Sequence, residues 1–197
     1  MLAEKIKYIY AKLITYLQVP AIRSCKIDKR TWIGHRSNLI NVTIGKYSYV
    51  GVNNSICNCN IGSFCSIGSY CAIGGGVHPL DKLSTSPVFY DKGNCFRTCN
   101  FIANPENNLK VPTVTLGNDV WVGENCFIKA GITIGDGVII GAHSVVTKDI
   151  PSYAIIAGAP AKIIRYRYNE DKIKELLEMQ WWNWDDSQIQ DNLYLFE

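Results

Sequence analysis

The sequence offers little with which to build a metal site or a nucleic-acid surface. It contains only three histidines, His35, His78 and His143, none of them close to another in the chain. A zinc centre draws its ligands from clustered His and Cys, with at least one closely spaced pair, so no metal is expected. Charged residues make up only 19% of the chain and the formal net charge is +3, which demands no nucleic-acid partner. No apolar run approaches the roughly 18 residues of a membrane span. Lysines interrupt the first apolar stretch, which argues against a secretory signal. Eight cysteines are present, but the Cys57-x-Cys59 and Cys95/Cys99 pairs lack a second half at zinc-ribbon spacing. Cys59, Cys65 and Cys71 recur at one position of a repeat, which suits small packing residues. Reduced thiols in a cytoplasmic protein are the expectation.

What the sequence does contain is a period of six. Leu116, Val122, Ile128, Ile134, Ile140 and Val146 are equally spaced, and Gly117, Gly123, Gly135 and Gly141 each follow one of them. A helix repeats its apolar face every 3.6 residues and a half-buried strand every two, so neither alone explains this spacing. A short strand and a tight turn, stacked coil on coil as a parallel β-helix, does. The aliphatic residue is expected inside the coil, and the residue after it, glycine or small, is expected to permit a sharp turn. Ile27, Ile33, Leu39, Ile44, Val50, Ile56, Ile61, Ile67 and Ile73 continue the rhythm, with shortened steps at 39→44 and 56→61.

The length of 197 residues suits one domain. Coils are expected over 27–74 and 114–160, interrupted by a loop over 75–113. Residues 1–20 read as a helix, with Leu2, Ile6, Ile9, Leu13 and Leu17 forming an apolar stripe. That stripe suits packing on the base of the β-helix, on a neighbouring subunit, or on a membrane surface. A C-terminal helix and tail occupy 165–197, with the helix over 169–180 and a packing cluster of Trp181, Trp182 and Trp184.

The loop is where chemistry is expected, because long loops on rigid scaffolds carry function. It opens Gly74-Gly75-Gly76-Val77-His78-Pro79. The glycines free the backbone, the proline stiffens it, and an imidazole in such a place can take a proton from a hydroxyl at neutral pH. His35 and His143 follow glycines within the repeats and read as turn residues. Asp81 is near His78 in sequence and is a candidate to orient it. Phe89, Tyr90, Phe96 and Phe101 could stack on a sugar face or on a hydrophobic drug.

Taken together, several segments resemble one family. They are the hexapeptide rhythm, Gly75-Gly76-x-His78-Pro79 with Ser84-Thr85-Ser86-Pro87, the segment Leu116-Gly117-Asn118-Asp119-Val120-Trp121-Val122-Gly123, and Gly158-Ala159-Pro160-Ala161-Lys162. Over about 27–168 the chain is similar to the left-handed β-helix acyltransferases, in particular the xenobiotic acetyltransferase branch and its relatives that O-acetylate bacterial sugars. The resemblance implies a left-handed coil and a homotrimer with acetyl-coenzyme A in grooves between subunits. His78 matches the family's general base. Trp121 matches a tryptophan near the thioester, or else packs outward between subunits. Ala142, Thr147, Lys148, Gly158, Ala159, Pro160 and Lys162 match the region bordering the coenzyme. Galactoside- and maltose-type relatives carry their histidine just after the tryptophan segment, where Glu124 and Asn125 stand here. His143 stands where a small residue is more usual. The implied activity is O-acetylation of a saccharide hydroxyl in surface polysaccharide synthesis. An antibiotic-modifying O-acetyltransferase and a non-catalytic β-helix scaffold are the alternatives.

Overall fold

A computed structural model of the chain describes residues 17–91, 101 and 109–197, together with positions 6, 9, 10, 12 and 13. The six-residue period is realised as a triangular parallel β-helix. On the first face Ile27, Ile44, Ile61, Leu116 and Ile134 stand in register, each paired with the next. On the second the row is Ile33, Val50, Ile67, Val122, Ile140 and Ile156. On the third it is Leu39, Ile56, Ile73, Ile128 and Val146. Apart from Ile27 and Ile33 in the first turns, all of these are buried and form one continuous apolar core. Pairing begins before residue 27, because Ala21–Arg23 already pairs with Asn38–Ile44. The shortened steps have a structural cause. Asn38–Ile44 and Ser55–Ile61 are single seven-residue strands that bend around one corner, each through one left-handed asparagine, Asn41 at φ 55° and Asn58 at φ 48°.

The glycines after the aliphatic positions act differently from the expectation. Left-handed backbone falls two residues later, at Tyr47, Asn53, Phe64, Tyr70, Asp119, Asn125 and His143, with φ between 48° and 61° among the turn positions from Asn41 to His143. The glycines are required by crowding between coils. A Cβ on Gly34 would lie 2.6 Å from the carbonyl carbon of Gly51, and one on Gly123 would lie 2.6 Å from the amide nitrogen of Ala142. No larger residue fits when backbones approach that closely.

The cysteines hold a third recurring position. Ser37 and Ser48 donate their hydroxyls to Gly51 and Gly62 carbonyls of the next coil, both at 2.8 Å. Cys65 and Cys71 direct their thiols to Gly117 and Gly123 carbonyls in the same way, at 3.1 and 3.2 Å. All cysteines of the described residues are unpaired, and burial pushes the Cys65 thiol up to about 12.

An antiparallel hairpin, Ala154–Gly158 with Ala161–Tyr166, closes the last coil. The chain then turns back along one edge of the prism. Arg167 donates to the Asp119 carboxylate at 2.8 Å and to the Gly137 carbonyl at 2.9 Å. The helix Glu170–Met179 follows, its first turn capped by Asn169. Trp181 packs on Phe64 with ring centroids 4.8 Å apart, Lys46 donates to the Trp184 carbonyl, and Asp186 meets Arg30 at 3.2 Å. This strap leaves a groove of about 390 Å³ between Asp119, Tyr153, Arg167, Tyr168 and Trp181. Trp182 is buried, its ring edge-on to Trp181, as expected of a packing cluster.

Positions 6, 9, 10, 12, 13 and 17 are helical, and Ile6, Ile9, Leu13 and Leu17 are exposed. The stripe therefore does not pack on the base of this chain's own β-helix at those positions. The helix stops short of the expected end, since residues 18–20 are not helical; its remaining positions, and Cys95, Phe96 and Cys99, lie outside the described residues. Among the described residues no helix is long and apolar enough to cross a membrane.

Candidate active site

On the third face the strand Ala72–Gly74 is held between Ser55–Ile61 and Phe127–Ile128. The chain leaves the prism there and returns to the first face at Val114–Leu116. Gly74 has φ 75° and Gly75 φ 101°, a left-handed conformation in which a side chain is strained, and the Cys57 carbonyl occupies the space a Cβ of Gly74 would need. The segment that follows is pinned by Pro79, which is buried, while His78 is exposed.

His78 Nδ1 lies 2.8 Å from the carbonyl oxygen of Thr85. A carbonyl can only accept, so this contact assigns the ring proton to Nδ1 and leaves the Nε2 lone pair free. The carbonyl is aimed by a compact turn. The Ser86 N–H donates to the Ser84 hydroxyl at 3.1 Å, and Pro87–Phe89 forms one 3-10 turn with proline at its start. Tyr90 closes that turn and brings its hydroxyl to 2.9 Å from His78 Nδ1. Asp81, the orienting candidate from the sequence, instead stands 3.6 Å from Lys82 and is largely exposed. Thr85 and Tyr90 were not legible as partners of the histidine. Ser84-Thr85-Ser86-Pro87 signals a turn, but a turn signal does not say which carbonyl faces inward.

The coenzyme candidates divide between two edges. Trp121 sits on the outer side of the second face between Ser66 and Ile139, and is 54% exposed. It belongs to a row that also contains Trp32 and Tyr49, 57% and 43% exposed. Ala142 stacks on Gly123, and its neighbour Gly141 stacks on Ala157, so Ala142 and the hairpin turn at Gly158, Ala159 and Pro160 share one edge. Lys162 is exposed on the returning strand. Thr147 and Lys148 lie apart, following Val145–Val146 at the corner of the third face, and both are exposed. Exposed lysines beside an open glycine turn are chemically suited to a ligand that carries phosphates. His143 occupies a left-handed turn with φ 60° and is exposed. No cluster of three potential metal ligands occurs among the described residues.

Residues 113–148 match the model of the bacterial transferase hexapeptide (six repeats). Over 126 residues the chain is 40% identical to a chloramphenicol acetyltransferase of Agrobacterium fabrum (strain C58), covering 64% of this chain and 57% of that one. Over 102 residues it is 38% identical to the putative lipopolysaccharide biosynthesis O-acetyl transferase WbbJ of Escherichia coli (strain K12), covering 48% of this chain and 52% of that one. The chain thus spans little more than half the length of these curated relatives. In fold it is similar to AntD, an N-acyltransferase from Bacillus cereus, with a TM-score of 0.56 at 21% identity over 85% of this chain and 93% of that one.

Proposed function

We propose that this hexapeptide-repeat protein, a relative of acetyltransferases, is an acetyl-coenzyme A-dependent O-acetyltransferase with His78 as general base. One observation carries the reading. The Thr85 carbonyl binds Nδ1 of an exposed histidine, which leaves the lone pair on Nε2. Nε2 takes the proton of an acceptor hydroxyl as its oxygen attacks the thioester carbonyl carbon. The carbon–sulfur bond then breaks, and Nε2 returns the proton to the thiolate. Holding both substrates together supplies much of the acceleration, and the base adds on the order of 10²–10⁴.

Ala142, Gly158, Ala159, Pro160 and Lys162 form the coenzyme edge in this reading, with Thr147 and Lys148 at the neighbouring corner and Trp121 beside the thioester. The exposed row Trp32, Tyr49 and Trp121 makes a flat apolar surface that a second copy of the chain covers. That supports a homotrimer with the coenzyme between subunits. The acceptor is a saccharide hydroxyl of a surface polysaccharide, supported by the similarity to WbbJ. Phe89 and Phe101, stacked with centroids 6.0 Å apart and both exposed, offer a platform for a sugar face. A drug acceptor is the second reading, favoured by the 40% identity to a chloramphenicol acetyltransferase.

The test is thiol release from acetyl-coenzyme A across sugars, nucleotide sugars and chloramphenicol, with His78→Ala alongside. Release that requires both a sugar and His78 supports the main reading. Release with chloramphenicol alone supports the second. No release together with no coenzyme binding overturns both and leaves a scaffold role.

A further inference from the structure

We propose that Tyr90 is a positioning residue for His78, its hydroxyl oxygen serving as a second acceptor for the Nδ1 proton. The inference rests on the reading of His78 as the base and adds the device that holds it. Nδ1 has two oxygens within hydrogen-bond distance, the Thr85 carbonyl at 2.8 Å and the Tyr90 hydroxyl at 2.9 Å. The carbonyl cannot donate, so the proton stays on Nδ1 and the phenol oxygen receives the second branch. The rings meet edge to face, 86° between planes and 6.4 Å between centroids, so Tyr90 also walls one side of the imidazole.

Tyr90 is itself locked in place. Its N–H donates to the Pro87 carbonyl at 3.2 Å, and the Asp91 N–H donates to the same oxygen at 2.8 Å. Both acceptors therefore come from one short segment, and that segment is stiffened by Pro87. Histidine χ2 is a broad torsion that a single hydrogen bond restrains poorly. Two acceptors on one atom fix the plane of the ring and the direction of Nε2. When Nε2 takes the acceptor's proton the ring becomes an imidazolium, and each acceptor on Nδ1 steadies that charge. The effect belongs to the transition state, so it falls on turnover and leaves coenzyme binding alone.

Tyr90→Phe deletes the oxygen and keeps the ring. Nitrogen NMR of ¹⁵N-histidine-labelled protein reads which ring nitrogen carries the proton, and with three histidines His78→Gln assigns the signal. The wild-type neutral ring is expected to be protonated on Nδ1, and Tyr90→Phe is expected to keep the proton there, held by the Thr85 carbonyl, while shifting the His78 Nδ1 resonance as the second acceptor is lost. With acetyl-coenzyme A and either chloramphenicol or a simple galactoside, kcat is expected to fall about tenfold while KM for acetyl-coenzyme A stays within about twofold. A wild-type ring protonated on Nε2, or identical His78 signals in the two proteins, overturns the proposal. Protonation of the wild-type ring on Nε2 overturns the proposal even if the variant folds poorly. The NMR needs no acceptor, so a protein with the Nδ1 clamp but no transfer activity would sink the enzymatic reading and leave the clamp standing.

Discussion

Gly123 and Ala142 touch backbone to backbone, and a Cβ added to Gly123 would sit 2.6 Å from the Ala142 amide nitrogen. That contact separates two kinds of glycine-like position in the repeat. Gly123→Ala is expected to cost about 1–3 kcal/mol, because backbone cannot move aside as a side chain can. Asn125→Gly, two residues on at φ 57°, is expected to change stability by less than about 1 kcal/mol. There the strain relieved in the folded state is offset by the larger entropy of the unfolded chain. Urea denaturation of both variants checks the contrast, and equal losses would contradict it.

His78→Ala is expected to lose at least ~100-fold in kcat and to keep its affinity for coenzyme A. The side chain is exposed, so the thermal midpoint should not move. Calorimetric titration with coenzyme A alongside the transfer assay separates a lost base from a damaged site. Full activity in the variant would remove His78 from the mechanism.

Cys65 is fully buried with its thiol directed at the Gly117 carbonyl, as the Ser48 hydroxyl is directed at Gly62. Cys65→Ser is therefore expected to fold within about 1 kcal/mol of wild type, since a donor is kept. Cys65→Leu has no room and is expected to lose more. Native-state thiol labelling should spare Cys59, Cys65 and Cys71, which are buried. Rapid labelling of all three would mean that the coils open.

Tyr153 is buried, with its hydroxyl hydrogen-bonded to no group among the described residues. Burial raises its folded-state value from the ordinary 10 to about 12. The unfolded chain therefore loses this proton first as pH rises. The stability contribution is complete below pH 10 and fades between about 10 and 12. Tyr153→Phe removes both the unpaired hydroxyl and this alkaline loss. It is expected to match or exceed wild type by about 1 kcal/mol at pH 8, with a wider margin at pH 11. Denaturation at the two pH values measures it, and a destabilised variant at pH 8 would show that the hydroxyl has a partner in solution.

Much of the architecture was legible in the chain. The steps from Leu116 to Val146 mark one buried row of each face; a second buried position lies two residues earlier, at Val120, Cys126, Ile132 and Val138. The break in the rhythm after Ile73 marks where the chain leaves it. The roles of the small residues were misread for a physical reason. Tight turns and close stacking both favour glycine, and sequence spacing does not distinguish φ from contact. Gly117 and Asp119 show the division, contact at the first and positive φ at the second.

Periodicity, loop position and the presence of a single loop histidine followed from the sequence alone, because they depend on which residues are apolar and how far apart they lie. The partners of that histidine did not. Thr85 acts through a backbone carbonyl, which every residue carries, and Tyr90 through the fold of one proline-led turn. Likewise the pairing of Arg167 with Asp119, 48 residues apart, depends on the strap running back along the prism. Such choices are made by the direction of a backbone in space, and only the tertiary structure decides them.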